Sequence, residues 1–213
     1  YEILIGLVGS EMCIRDRLKD CIAKAKANNV PNDNIERIIK KAASGGDGAN
    51  YEAVTYEGYG PNGVAVIVEA LTDNRNRTAG EVRHYFDKFG GNMGTQGCVS
   101  FMFTKKGVLV IEREDLDKDE DTVMSDALEY GASDFEADED VFTIYTEPED
   151  FSAVRDDLEK AGYTFVSAEL EMVPSTYTKL EDEESITKMQ KMLDMFEDND
   201  DIQNVWHNWE MED

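Results

Sequence analysis

Apolar residues along this chain alternate between a period near four and a period of two, and the switches mark its elements. Leu18, Ile22 and Ala25 recur at helical spacing until Asn28-Asn29, where Val30-Pro31 breaks the run. Ile35, Ile38, Ile39 and Ala42 give a second helix its apolar face, and Asp33 followed by Glu36 has the D-x-x-E form of a capping box. The pair predicts a helical hairpin, ended by Ser44-Gly45-Gly46-Asp47-Gly48 as a linker. Two strands follow, Ala53–Tyr59 and Val64–Ala70, around the turn composition Gly60-Pro61-Asn62-Gly63. A helix over Thr78–Phe89 carries Val82, Tyr85, Phe86 and Phe89 on one side and stops at Gly90-Gly91, since glycine accepts the positive φ of a helix end. Strands Val99–Thr104 and Val108–Arg113 are predicted around a Lys105-Lys106-Gly107 turn.

From Gly107 the order becomes regular. Strand Val108–Arg113, helix Glu120–Tyr130, strands Ser133–Ala137 and Val141–Thr146, helix Glu149–Ala161 and strand Phe165–Val173 spell βαββαβ, the ferredoxin-like order. After Pro174-Ser175-Thr176 a last helix carries Ile186, Met189, Met192, Leu193 and Phe196 on one face, and a short strand, Ile202–Trp206, follows. The segment before Gly107 has strands but one helix too few for a two-layer sandwich, and the final helix and strand supply what it lacks. The expected fold class is therefore α+β: a helical N-terminal hairpin plus two α/β sandwich domains, the last ferredoxin-like and inserted in the middle one. The expected boundaries are 18–48 for the helical domain, 49–106 with 177–213 for a discontinuous middle domain, and 107–176 for the insert. Residues 1–17 show no sustained period and begin with Tyr, so they read as sequence foreign to the rest, a divergent terminus being the alternative.

Charge changes the picture more than composition does. The net charge is −26, which by itself argues against a polyanion partner. Its distribution points the other way. Gly107–Asp213 holds 34 acids against 7 bases, whereas Arg17–Ser44 has 7 bases against 3 acids and Asp73–Lys106 has 6 against 3. Any nucleic-acid contact is thereby confined to the basic front and oriented by the acidic back. The 3 cysteines and 2 histidines have no ligand-like spacing, so neither a zinc site nor a disulfide framework is expected, and a reducing cytoplasm is. No apolar run approaches the roughly 20 residues of a membrane span.

Candidate chemistry is sparse. G-x-x-x-x-G-K-[ST], H-E-x-x-H and G-x-S-x-G are all missing from the sequence, and Gly58-Tyr59-Gly60 reads as a turn, not a phosphate loop. His84 reads as a structural histidine and the clusters Glu112–Asp121 and Glu197–Asp201 as solvated acidic faces, so no enzyme, cofactor, metal or small-molecule substrate is expected. The informative stretch is Thr72-Asp73-Asn74-Arg75-Asn76-Arg77-Thr78. Arg75 and Arg77 supply planar forks for phosphate, while Asn74 and Asn76 can hydrogen-bond base edges or backbone. Arg83 and Lys88 extend the basic character along the helix, and Lys24, Lys26, Arg37, Lys40 and Lys41 do so on the hairpin. The competing reading makes the stretch a helix-capping loop whose arginines pair with Asp73, Glu81 and Asp87; physics alone leaves the two balanced.

A resemblance shifts that balance. Tyr56-Glu57-Gly58-Tyr59-Gly60-Pro61-Asn62-Gly63, Thr72–Thr78, Val82-Arg83-His84, Gly90-Gly91-Asn92-Met93-Gly94-Thr95-Gln96-Gly97 and Val99-Ser100-Phe101-Met102-Phe103 resemble, in order, the central signature of the YebC/PmpR family. Ala23–Arg37 is similar to its helical domain and Gln203–Asn208 to its usual ending. That family includes the mitochondrial translational activator of cytochrome c oxidase. The resemblance implies a three-domain cytoplasmic regulator, described for most members as a DNA-binding transcriptional regulator. For some members it is a ribosome-associated factor that helps synthesis through proline-rich stretches. The implied partner is DNA or ribosomal RNA, with no membrane. Members open on a Lys/Arg-rich segment like Gly-His-Ser-Lys-Trp, which residues 1–17 do not match, so an incomplete N-terminus is expected.

Overall fold

The computed structural model describes residues 30–43, 51–114 and 116–211, together with Leu18, Ile22, Ala25 and Lys26. The segment 1–17, the linker at 44–48 and Lys24 lie outside the described residues, as do the side chains of Lys41 and Ala42. The chain divides into two units, Tyr1–Ala49 and Asn50–Asp213. In the first, Leu18, Ile22, Ala25 and Lys26 are helical, and helix α1 spans Asn32–Ala43. It begins one residue before the expected cap. Asp33 thus falls in the first turn, where its carboxylate meets the positive end of the helix dipole.

The second unit runs β1 (Glu52–Tyr59), β2 (Ala65–Thr72), α2 (Arg75–Lys88), β3 (Asn92–Met93), β4 (Phe103–Glu112), α3 (Glu120–Glu129) and β5 (Asp134–Ala137). It continues with β6 (Val141–Thr146), α4 (Phe151–Lys160), β7 (Ser167–Pro174), β8 (Thr178–Lys179), α5 (Glu183–Glu197), β9 (Ile202–His207) and β10 (Trp209–Glu210). One sheet has the order β3-β1-β2-β9 and the other β5-β6-β4-β7, both antiparallel; β8 and β10 form a short parallel pair. The second order is that of a ferredoxin-like sandwich, with α3 and α4 packed over Leu109, Ile111, Phe142 and Ile144.

Strand β9 lies where the element count predicts it. Val66 faces His207 and Val68 faces Val205, with a register shift between Glu69 and Ala70. Helix α5 joins α2 on one face of that sheet, burying Met189, Met192 and Phe196 against Val82, Phe86, the sheet residues Val66 and Val68, and Val64 just before β2. The rings of Phe86 and Phe196 meet edge to face at 5.4 Å. The ferredoxin-like sandwich is thus inserted into a middle sandwich that the C-terminal elements complete.

Two sequence expectations change. The Lys105-Lys106-Gly107 turn does not exist: β4 runs unbroken through it, paired with β7 from Phe103↔Pro174 to Val110↔Ser167. Gly107 serves close packing instead, because a Cβ there would collide with the side chains of Thr146 and Phe151. The strand expected at Val99–Thr104 is a 3-10 turn over Ser100–Met102 that leads into β4. Val99 and Phe103 on either side of it pack with Ala65, Ile67, Met172 and Trp206, which joins the two sandwiches through a small shared core. Among the described residues no helix is long and apolar enough to cross a membrane.

Candidate nucleic-acid interface

The stretch between β2 and α2 is organised by its own polar side chains. Asn74 caps α2, its side-chain oxygen accepting from the Arg77 N–H at 3.2 Å, while its own N–H donates to Thr72 Oγ1 at 2.9 Å. Helix α2 starts at Arg75, three residues before the apolar period announces it, since its first turn is polar throughout. Thr72 and Thr78 are buried, their hydroxyls 2.8 Å apart and 3.1 and 2.7 Å from Asp201 Oδ2. Asp201 belongs to the loop before β9, and its carbonyl accepts from the Leu71 N–H at 2.8 Å.

Arg77 completes this knot. Its Nη2 donates to Asp73 Oδ1 at 3.0 Å and to Asp201 at 3.0 and 2.7 Å. Hydrogen bonds from Arg77 and Thr78 hold the Asp201 carboxyl below the usual carboxylate range. The capping-loop reading therefore describes Arg77 well, with Asp201 as the partner that the sequence did not suggest. Arg75 is different. It is exposed in the first turn of α2, where there is no acidic residue, and among the described residues its guanidinium forms no ion pair. A cation at the positive end of a helix dipole is unfavourable unless an anion joins it.

The remaining candidates spread out. Asn76, Arg83 and His84 are exposed along the outer face of α2, opposite Val82 and Phe86. Lys88 lies at the far end of the helix, over the Phe89 ring at 5.2 Å and 3.7 Å from Met195 Sδ. In the first unit Lys26, Arg37 and Lys40 are exposed, and Lys40 pairs with Glu36 at 3.2 Å.

Sequence reasoning missed Glu57. Its carboxylate is buried, with 4% of the residue exposed, and accepts from the backbone N–H groups of Gly97, Val99 and Ser100 at 2.8, 2.9 and 2.9 Å. Burial alone would push its pKa up, but these three donors outweigh burial and the carboxyl stays below its ordinary value. The 94–100 loop is wrapped round this anion. Gly94 donates to the Glu57 carbonyl at 2.8 Å, and Tyr59 Oη donates to the Cys98 carbonyl at 3.0 Å. Asn208 was missed likewise: it is buried, accepts from the Ala65 N–H at 2.8 Å and donates to Thr176 O at 3.0 Å. The available signals were an acid between Tyr56 and Gly58-Tyr59 at the buried end of β1 and an asparagine between two aromatic positions.

Comparison with known proteins shows the family and the fold. The family model described as "TACO1/YebC second and third domain" matches residues 51–209. A "Probable transcriptional regulatory protein" of Acetivibrio thermocellus is 61% identical over 97% of this chain and 85% of its own length. A protein of the same description from Caldicellulosiruptor saccharolyticus is 57% identical over 99% and 86%. The crystal structure of a conserved hypothetical protein from Aquifex aeolicus superimposes with a TM-score of 0.82 at 43% identity, covering 93% of this chain and 81% of that one.

Proposed function

The chain belongs to the TACO1/YebC family, and from that premise we propose that it regulates gene expression by binding nucleic acid through the N-terminal end and outer face of α2. The observation that carries this reading is Arg75. A chain with 47 acidic residues keeps this arginine free of an ion pair among the described residues, at a helix end where cations are disfavoured. A phosphate there would be held by the guanidinium and by the helix N-terminus together. Asn76 and Arg83 lie on the same helix and extend the contact. Arg77 contributes mainly by holding the loop in shape.

DNA is the first polymer to consider, because relatives are described as transcriptional regulatory proteins. Contact with ribosomal RNA is the second reading, favoured by the exposed aromatic ring of Phe101. The test is the double substitution Arg75→Ala/Arg83→Ala. It should weaken binding and flatten the salt dependence. For each phosphate no longer neutralised, the log–log slope should fall by about 0.9 on duplex DNA, or about 0.7 on a single strand. Stability should stay within about 0.5 kcal/mol, as for other surface changes. An unaltered affinity and slope would remove α2 from the interface.

A further inference from the structure

Phe101 is the most exposed large apolar side chain of the second unit, at 75%. Single exposed apolar residues are ordinary, and this one would need no comment if its backbone were loose. Instead it is fixed on both sides. The Ser100 N–H is held by the Glu57 carboxylate at 2.9 Å, and the Met102 carbonyl accepts from the Ser175 N–H and hydroxyl at 2.8 and 3.0 Å. Val99, two residues before, is fully buried, and Phe103, two residues after, is 7% exposed. A buried carboxylate, three backbone donors and two core anchors thus hold one turn whose outermost group is an aromatic ring. With the backbone held this way, stacking on the ring has only the side chain's own two torsions left to order.

The charge around it is as unusual. From Lys88 to Ile111 there is no Asp or Glu, in a chain where 47 of 213 residues are acidic. The carboxylate that organises this stretch, Glu57, is buried and satisfied by backbone. Thr95 and Gln96, on the same loop, and Lys105, just beyond on β4, are exposed. The stretch itself therefore presents an anionic partner with no carboxylate, and offers a π face, amide and hydroxyl groups and an ammonium.

We propose that Phe101 is a stacking platform for an unpaired base of RNA. The inference rests on the reading that the protein binds nucleic acid, and deepens it. Duplex DNA keeps its bases stacked on one another, so a protruding ring has no free π face to meet there. Folded RNA presents unpaired bases in loops and bulges, and aromatic side chains stack on them. Base stacking on an aromatic ring tolerates sequence, since every base has a π face.

The experiment compares the full chain with Phe101→Ala and Phe101→Trp, titrated against labelled oligo(U) and oligo(A) RNA and against duplex DNA over a range of salt. Phe101→Ala should weaken RNA binding about tenfold or more on both oligomers, with the salt slope unchanged because no charge is removed. Phe101→Trp should retain affinity, and its added indole fluorescence should be quenched on RNA but not on duplex DNA. RNA binding by Phe101→Ala equal to that of the parent chain overturns the proposal while leaving the α2 interface standing. An equal loss on duplex DNA overturns it as well, since stacking on an unpaired base cannot explain that. A parent chain that binds neither polymer overturns both this inference and the reading beneath it.

Discussion

The two sandwiches of the second unit share a layout, four antiparallel strands under two helices, yet they differ in what they bury. The inserted one, β4–β7 with α3 and α4, closes on Leu109, Ile111, Phe142, Ile144, Phe151 and Leu158, and its buried polar residue is Thr146. The middle one buries Glu57, Thr72, Thr78 and Asn208. A buried polar group has to be satisfied or it destabilises, so such groups persist where they fix a geometry that apolar packing would leave loose. In the middle sandwich they fix three things: the 94–100 loop, the start of α2 and the return of the C-terminal strand. The inserted sandwich instead contributes an acidic exterior. The difference separates a half whose buried polar groups fix its loops and helix start from a half whose surface is acidic.

The sharpest way to break this comparison is Glu57→Ala. It strands three backbone donors and should cost about 3–5 kcal/mol, as much as a large apolar deletion such as Leu109→Ala in the other sandwich. Chemical denaturation of the two variants checks the magnitude, and acid separates their mechanisms. The folded Glu57 carboxyl lies below its unfolded value, so its stabilisation is complete above that value and is lost as pH falls through the folded one. Leu109→Ala should therefore keep the parent's loss of stability below about pH 4.3, whereas Glu57→Gln should flatten it.

Asp201→Ala comes next, at about 2 kcal/mol, because it removes the acceptor shared by Thr72, Thr78 and Arg77. Hydrogen exchange should rise at the start of α2 and in β9 while the inserted sandwich stays protected; uniform loss would show that the two halves unfold as one. Arg77→Ala should act in the same direction and less, since Asp201 keeps both hydroxyl partners.

The smallest effect on stability is expected on the acidic exterior. Asp138→Asn/Glu139→Gln/Asp140→Asn alters exposed groups in the β5–β6 connection and should change stability by less than about 0.5 kcal/mol. The same triple change should strengthen non-specific binding to mixed-sequence nucleic acid at low salt, measured by titration, since it removes repulsion and no contact. Unchanged non-specific binding would mean that the inserted half does not screen partners.

Periodicity was enough to read most of the elements, the ferredoxin-like order and the insertion, because each depends on local pattern and on counting strands and helices. The spacing of Met189, Met192 and Phe196 places one apolar face on α5, and a sandwich short of a helix has to accept it. The basic front against an acidic back is likewise a property of the string itself. Which of the two arginines forms an ion pair among the described residues was decided only in three dimensions. Arg75 and Arg77 are two residues apart and alike in sequence, but Asp201, 124 residues beyond Arg77, comes to the second and not to the first. Lys105-Lys106-Gly107 has the composition of a turn, and only pairing with β7 and the crowding at Gly107 make it strand. Glu57 has the identity of a surface acid. It became the centre of a loop because the donors that satisfy it, at Gly97, Val99 and Ser100, lie at least 40 residues away, and backbone N–H groups carry no mark in a sequence of what they will bind.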